Sequence, residues 1–389
     1  MRKGWEYKKL GEVCEVVTGT TPKTNIPEYW GKGHYWVTPA ELNDTTVYID
    51  KTERQITDEA LSKTKLRLLP VGTVLLSSRA PIGKVAIANA EMYCNQGFKN
   101  CICSEAIYNK YLFYFLRLKK DYLNSLGRGA TFKEISKSIV ESIKIPLPPK
   151  STQLVIVSEL DKINELIRLK KEQLKDFDNL AQSLFYEMFG DPVENEKGWE
   201  VKKLNEIVSD NCSISYGIVQ PGDGVENGVP VVRPVDMTKT FVSRKGLKNT
   251  TKEISDSYKR TILKGNEILM CVRGTTGLIS MATPELQGCN VTRGIAPIEC
   301  GPTCDKWFVF YQILNPAIQH HIAEYTRGIA LKQINMKDVR DIPLCLPPLS
   351  LQRLFAQRIE QIEREKSEVQ KSIQDLETLL ASRMQYWFE

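Results

Sequence analysis

The chain repeats itself, because GWEYKKLGEV at residues 4–13 returns as GWEVKKLNEI at residues 198–207. A second pair follows in the same order: PLPPKSTQ at residues 146–153 returns as CLPPLSLQ at residues 345–352. The first pair is offset by 194 residues and the second by 199, so the two copies differ by only a few inserted residues. Repetition at this period indicates two whole domains rather than a solenoid of small repeats.

Composition places the chain among globular proteins. Its 389 residues suffice for roughly two to three domains, each large enough to bury its own core. Apolar residues make up 42% of the chain and charged residues 26%, which excludes a collagen-like or wholly disordered protein. The net charge of +6 permits binding to nucleic acid without requiring it, since phosphate contacts depend on where Lys and Arg cluster.

The ten cysteines are expected to be reduced and mostly buried. The close pairs Cys101/Cys103 and Cys300/Cys304 lack both the Cys-x-x-Cys spacing and the nearby His of structural zinc sites, so no metal site is expected. The first ten residues contain no apolar signal segment, and no stretch approaches the roughly 20 apolar residues of a membrane span. We therefore expect a cytoplasmic protein with no membrane partner.

Each copy begins with a globule of short strands and turns and ends with a long helix. Strands are predicted where β-branched and apolar runs are bounded by Gly, Pro and Asn, at 13–18, 35–38, 74–78, 85–88, about 102, 230–233, 268–272 and 295–298. A helix is predicted at 108–118. The predicted fold class is α+β, with two similar mixed α/β globules joined by two long α-helices that pack as a coiled coil. The predicted boundaries are 1–149 for the first globule, 150–190 for the first helix, 191–197 for a linker, 198–348 for the second globule and 349–389 for the second helix.

The two long segments carry the heptad pattern of a coiled coil, with apolar residues alternately four and three positions apart. The first seam comprises Ile156, Leu160, Ile163, Ile167, Leu174, Phe177 and Leu184. The second seam comprises Phe355, Ile359, Ile362, Val369, Ile373, Leu376 and Leu380. Because one helix cannot bury such a stripe against itself, the two are predicted to pair, antiparallel or parallel. A Pro-Pro sequence precedes each segment, and Ser151 and Ser350 are predicted as the N-caps.

Catalytic motifs are missing from the sequence. It contains no GxxxxGK[ST] phosphate loop, no GxGxxG after a strand, no HExxH and no GxSxG. A methyltransferase is expected to carry a glycine-rich loop and an Asn/Asp-Pro-Pro-aromatic motif, whereas Asn315-Pro316 is followed by Ala317. We therefore predict that this chain performs no covalent chemistry and binds no cofactor.

The order of the short motifs resembles one protein family. Each copy contains GW-x-x-KKL, then SRAPIG at 78–83 or VRGTTG at 272–277, and finally a Pro-Pro stop before a long helix; GRGAT stands at 127–131. Together they resemble the DNA-specificity subunit of type I restriction-modification systems, over almost the whole chain. The resemblance implies that each globule is a target-recognition domain reading one half of a bipartite double-stranded DNA site. It also implies that the paired helices fix the gap between the halves.

The same resemblance implies partners. In that family the helices dock two methyltransferase subunits, which carry S-adenosylmethionine and flip the target adenine. Restriction subunits add the nuclease and the ATP-driven translocation, so ATP and Mg are expected only on partner subunits. The alternative is a coiled-coil scaffold for protein interactions without DNA specificity. Affinity for nucleic acid falls steeply with salt, whereas coiled-coil assembly does not, so salt dependence distinguishes the two.

Arginines at strand ends are the first candidate DNA contacts. Arg79 follows the apolar run at 74–76 and Arg273 the run at 268–270, and a glycine-containing turn comes after each. Such an Arg can reach a phosphate, or O6 and N7 of guanine in the major groove. The alternative is a salt bridge that caps the strand.

A second candidate set lies in one turn of each copy. NQGFK at 95–99 is aligned with NVTRG at 290–294, which nominates Asn95, Gln96, Lys99, Asn290 and Arg293. Asn and Gln can pair bidentately with adenine, whereas Lys and Arg serve phosphate or guanine. The alternative is a turn stabilised by its own Asn side chain.

A third candidate set follows a glycine-rich turn. Arg128 and Lys133 match Arg327 and Lys332, and a Gly stands beside each Arg. Such a Gly leaves backbone N–H groups open to a phosphate, and the cation adds charge. A plain helix-to-strand connector is the alternative. Because the framework repeats while the candidate turns differ between the copies, we predict an asymmetric site.

Overall fold

The computed structural model describes residues 5–129, 133–329 and 331–389. By its internal contacts the chain divides into two compact units, Met1–Lys171 together with Lys371–Glu389, and Glu172–Gln370. Each unit holds one globule and a part of both long helices, and the predicted mixed α/β class is confirmed. No helix within the described ranges is long and apolar enough to cross a membrane.

The first unit contains three small sheets. Its strands are β1 (Glu6–Lys9), β2 (Cys14–Thr18), β3 (Trp30–Val37), β4 (Tyr48–Ile49), β5 (Gln55–Ile56), β6 (Val74–Leu76), β7 (Val85–Ala88), β8 (Tyr93–Cys94), β9 (Lys99–Cys103) and β10 (Lys144–Leu147). Its helices are α1 (Leu10–Val13), α2 (Asp58–Lys63), α3 (Asn109–Leu118), α4 (Lys120–Ser125), α5 (Lys137–Ser142) and the start of α6 (Lys150–Phe189). The largest sheet has the order β2-β9-β6-β7-β4, the second β5-β3-β8, and the third pairs β1 with β10.

The second unit repeats this plan, except that its sheet around β14 has three strands where the sheet around β6 has five. Its strands are β11 (Glu200–Lys203), β12 (Val229–Val232), β13 (Lys248–Thr250), β14 (Ile268–Cys271), β15 (Ile279–Met281), β16 (Asn290–Val291), β17 (Ile295–Ile298) and β18 (Pro343–Leu346). Its helices are α7 (Leu204–Ile207), α8 (Lys252–Asp256), α9 (Lys306–Leu314), α10 (Pro316–Glu324), α11 (Met336–Arg340) and the start of α12 (Leu349–Phe388). The sheets have the orders β15-β14-β17, β13-β12-β16 and β11-β18.

The repeated sequence motifs meet as a two-stranded sheet in each unit. β1 pairs antiparallel with β10, with Tyr7 opposite Pro146. β11 pairs with β18 in the same way, with Val201 opposite Cys345. Residues 6–9 and 200–203 of the two motifs therefore lie against the strand that precedes each Pro-Pro sequence. This pairing holds the first strand of each globule next to the first turn of a long helix.

The long helices α6 and α12 are each 40 residues long. Each begins one residue before the serine predicted as its N-cap, so Ser151 and Ser350 lie inside the first turn and both N-cap predictions are wrong. At the start of α6, the amides of Thr152 and Gln153 donate to the carbonyl of Pro149 at 2.9 and 3.1 Å. The fixed φ of proline is compatible with a helix N-terminus, so the proline itself takes the position that the serine was expected to fill.

The two helices run antiparallel where they contact each other within the first unit. Glu159 of α6 accepts hydrogen bonds from Arg383 near the end of α12. Farther along α6, Lys171 forms an ion pair with Glu377 at 2.8 Å. Since the partner number falls as the α6 number rises, the pairing is antiparallel, which decides between the two arrangements that the seams allowed.

Residues of the two predicted seams are buried to different degrees. Those at most 8% exposed are Ile156, Leu160, Ile163, Ile167, Phe355, Ile359, Ile362, Val369 and Ile373. The partly exposed ones are Leu174, Phe177, Leu184, Leu376 and Leu380. Ile156 and Leu160 also belong to the hydrophobic core of the first unit, and Phe355 and Ile359 to that of the second. The apolar stripe therefore packs against the globules in addition to any role in helix pairing.

Candidate nucleic-acid interface

In the first unit, two candidate arginines meet at one backbone position. Arg79 and Arg128 both form antiparallel bridges with Glu134. The amide of Arg128 donates to the carbonyl of Glu134 at 3.0 Å, and the amide of Glu134 donates back at 2.9 Å. The strand-end arginine after β6 and the arginine of the glycine-rich turn thus flank Glu134, one on each side of its backbone.

The second unit contains the same arrangement. Arg273, which follows β14, and Arg327 both form antiparallel bridges with Gln333. The amides of Arg327 and Gln333 exchange hydrogen bonds at 2.8 Å in both directions. Both copies of the chain therefore bring a strand-end arginine and a turn arginine together, and the residue between them is Glu134 in one copy and Gln333 in the other.

The backbone conformation directly after each turn arginine requires glycine. Gly129 and Gly328 adopt φ values of +126° and +106°, which L side chains rarely adopt. A Cβ on Gly328 would also lie 2.3 Å from the carbonyl oxygen of Leu331. The turn can therefore close only with glycine at this position.

The side chains of Arg128, Lys133, Arg327 and Lys332 are exposed, as contacts to a phosphate backbone require. Ile329, between the two cations of the second unit, is completely exposed as well. Thr131 and Ala330, which also belong to the matched turns, lie outside the described residues.

Ion pairs surround Glu134. Arg79 donates from Nε to one carboxylate oxygen at 2.8 Å, and Lys99 donates from Nζ to the other at 3.0 Å. Burial raises the pKa of Glu134, but the hydrogen bonds from Arg79 and Lys99 outweigh burial and hold the pKa below its usual value. Lys99 is only 6% exposed in its side chain, so it balances Glu134 from the interior and is not presented to DNA, contrary to its prediction as a contact.

Main-chain hydrogen bonds correct the predicted alignment of the second candidate set. The amide of Asn95 donates to the carbonyl of Val37 at 3.2 Å, and the amide of Thr292 makes the corresponding bond to Val232 at 3.0 Å. Asn95 is therefore equivalent to Thr292 and not to Asn290. The alignment matched the shared Asn letter, whereas strand register places the second copy two residues farther on.

The corrected register pairs other residues. Gln96 becomes equivalent to Arg293, and Gly97 to Gly294. The two glycines confirm this, because the carbonyl of each accepts a hydrogen bond from the end of the neighbouring strand, at 2.7 Å from Ser78 and at 2.8 Å from Val272. The exposed Gln96 and half-buried Arg293 thus occupy one position of the fold with different hydrogen-bonding chemistry.

The two asparagines have structural roles. Asn290 is completely buried, accepts from Thr261 Oγ1 at 2.7 Å and donates to Ser255 Oγ at 3.0 Å. Its side chain is committed to the interior, which is at odds with its prediction as a DNA contact. The Oδ1 atom of Asn95 accepts from the amide of Gly97 at 2.9 Å, the self-stabilised turn given as the alternative.

Some residues that were not among the sequence-based candidates line clefts next to the candidate arginines. Lys84 lines an open cleft of about 360 Å³ with Arg79, Asn95 and Gln96 in the first unit. In the second unit, a cleft of about 450 Å³ is lined by Tyr216, Lys259 and Arg260, among others. Tyr216 is also within 3.5 Å of the Gln333 amide, which places this cleft next to the paired arginines. In the sequence, the two consecutive cations Lys259 and Arg260 were the one feature that could have indicated this cleft.

Comparisons with known proteins agree on one family. The family profile for the type I restriction modification DNA specificity domain matches residues 2–176 and 196–378. The MjaIX specificity subunit of a type I restriction enzyme from Methanocaldococcus jannaschii is 30% identical over 97% of this chain and 91% of its own length. The EcoBI specificity subunit of Escherichia coli is 24% identical over 78% of this chain and 71% of its own length.

Solved structures share the fold. A chain from a type I R-M system superposes with a TM-score of 0.64 at 20% identity, covering 99% of this chain and 97% of the other. The S subunit of a type I restriction-modification system from M. genitalium has a TM-score of 0.53 at 15% identity, covering 99% and 96%. With two profile matches that together span most of the sequence, the chain belongs to the type I restriction modification DNA specificity family.

Proposed function

We propose that this chain is the noncatalytic specificity subunit of a type I restriction-modification complex. Each unit reads one half of an asymmetric, bipartite double-stranded DNA site. The observation that carries the proposal is the pair of arginines held at one backbone position in both units, Arg79 with Arg128 and Arg273 with Arg327. Equivalent cations with different neighbours suit two readers of different half-sites.

The long helices are proposed to set the gap between the half-sites and to dock two methyltransferase subunits. A helix of 40 residues extends about 60 Å, close to the length of about 18 base-pair steps. S-adenosylmethionine, ATP and Mg belong to the partner subunits in this proposal. A cytoplasmic location follows from the need to reach chromosomal DNA.

Footprinting of the chain in complex with its methyltransferase subunits tests the proposal. We expect two protected half-sites of different sequence, separated by bases whose identity does not matter. Affinity should fall steeply as salt rises from about 50 to 200 mM, since several phosphates are contacted. A single continuous footprint, or binding that salt leaves unchanged, would instead favour a protein-interaction scaffold.

A further inference from the structure

Two arginines at equivalent backbone positions differ in what surrounds their side chains. Arg79 donates to Glu134 at 2.8 Å, and the buried Lys99 donates to the same carboxylate at 3.0 Å. In the second unit, Gln333 takes the bridging place of Glu134. Ala296 takes the place of Lys99 in the corrected register, so the anion and its buried cation are both replaced by uncharged residues.

The positive charge of Arg273 is consequently not balanced by Gln333, which is uncharged. Within the described part of the chain, no atom accepts a hydrogen bond from its Nε, which is buried. The side chain as a whole is only half-buried. With Nε enclosed, the two Nη groups are the end of the guanidinium that can meet a ligand, and two parallel donors are what bidentate recognition needs.

We propose that Arg273 reads a guanine in the half-site bound by the second unit, whereas Arg79 is held by Glu134 and reads no base. The inference rests on the proposed function. Arginine meets O6 and N7 of guanine with two parallel hydrogen bonds, the commonest specific contact in the major groove. Arg79 bonds Glu134 through Nε, and the carboxylate both balances its charge and repels the acceptor atoms of a base placed against its Nη groups.

Selection from random double-stranded DNA tests the inference, with the full chain in complex with its methyltransferase subunits. Arg273→Ala should lose about tenfold or more of the preference for guanine at one position of one half-site, and Arg273→Lys should lose a smaller part of it. The other half-site should be unchanged, and Arg79→Ala should weaken binding equally for all sequences without removing a base preference. Lysine keeps the charge but lacks the planar pair of donors. Unchanged guanine preference in Arg273→Ala would overturn the proposal, and affinity lost equally for all sequences would make Arg273 a phosphate contact instead.

A converse variant tests the role of Glu134. Lys99→Ala/Glu134→Gln copies the arrangement of the second unit and removes both charges, so no buried cation is left unbalanced. We expect it to add a guanine preference in the half-site of the first unit, and Arg79→Ala in the same background should abolish that gain. If this double variant has the same melting temperature as the native chain and gains no guanine preference, the proposed effect of Glu134 on Arg79 is refuted. If the native complex selects no two-part motif, the proposed function fails; if Arg273→Ala selects the native motif, this inference alone fails.

Discussion

At the residue scale, Glu134 decides the local charge of its surface. Its carboxylate lies between a half-exposed arginine and Lys99, whose side chain is only 6% exposed. A buried ammonium is costly unless an anion pairs with it. The second unit has no cation at the equivalent interior position and accordingly needs no anion. The buried Lys99 therefore explains why Glu134, a negatively charged residue, lies on a surface that is expected to bind phosphate.

We predict that Glu134→Gln lowers the free energy of unfolding by roughly 1–3 kcal/mol at neutral pH, because Lys99 is left buried without a counter-charge. Lys99→Ala/Glu134→Gln should recover most of that loss. Denaturant unfolding of the native chain and both variants measures the difference. A double variant less stable than Glu134→Gln would show that Lys99 does not need the anion.

The same variants have a defined pH dependence. Burial raises the pKa of Glu134, but Arg79 and Lys99 together lower it below the usual 4.5. A carboxylate with a lowered folded pKa contributes its stability in full above the pKa of the unfolded chain and loses it as the pH falls through the folded pKa. The difference in the free energy of unfolding between the native chain and Glu134→Gln should thus be constant near neutral pH and should disappear in acid. A difference that persists at low pH would contradict the ion pair.

The sequence allowed some site residues to be predicted and not others. Arg79 and Arg273 each follow an apolar run and precede a turn, which is a local signal repeated in both copies. The role of Glu134 depends on its contact with Arg79, 55 positions away, which no local pattern encodes. Residue identity alone matches Asn290 with Asn95, whereas the burial of Asn290 follows from strand register.

At the element scale, a buried glutamine explains why the repeated Pro-Pro motif ends in Gln. The side chain of Gln153 is completely buried, accepts from the amide of Tyr108 at 2.8 Å and donates to a proline carbonyl at the helix start. Gln352 does the same with the amide of Asp305 at 2.9 Å. Each glutamine thus joins the first turn of a long helix to the start of a globule helix.

We predict that Gln352→Ala destabilises the second unit by about 1–3 kcal/mol, because the Asp305 amide loses its acceptor. Gln357→Ala is the matched control, since this glutamine is exposed on the same helix. Its effect should stay within about 0.5 kcal/mol. Denaturant unfolding measures both, and amide hydrogen exchange at Asp305 reports the local loss. Equal effects of the two substitutions would refute the proposed link between helix and globule.

Elements with a local pattern were predictable. The heptad seams predicted the long helices, and the strands at 85–88 and 295–298 coincide with β7 and β17. The pairing of β1 with β10 has no signal in the sequence, because each strand has only four residues, β1 carries two lysines, β10 contains a proline, and most of the first copy separates them. Such long-range register leaves no periodicity for a sequence argument to detect.

At the scale of the whole molecule, both long helices contribute to both units. α6 belongs to the first unit up to Lys171 and to the second from Glu172, while α12 belongs to the second unit up to Gln370 and to the first from Lys371. Because the helices run antiparallel, a shortened α6 stays in register only if α12 is shortened opposite to it. This requirement makes the proposed control of the gap testable.

We predict that deleting residues 164–170 together with residues 374–380 shortens the preferred gap. The ion pairs of Glu159 with Arg383 and of Lys171 with Glu377 place these segments opposite each other. Removing one heptad keeps the apolar seam in phase and shortens each helix by about 10 Å, which corresponds to about three base pairs. Footprinting of the complex on sites with a graded gap measures the change. Deletion of 164–170 alone should disrupt the pairing and weaken binding to every site, whereas an unchanged gap in the double deletion would show that the helices do not set the spacing.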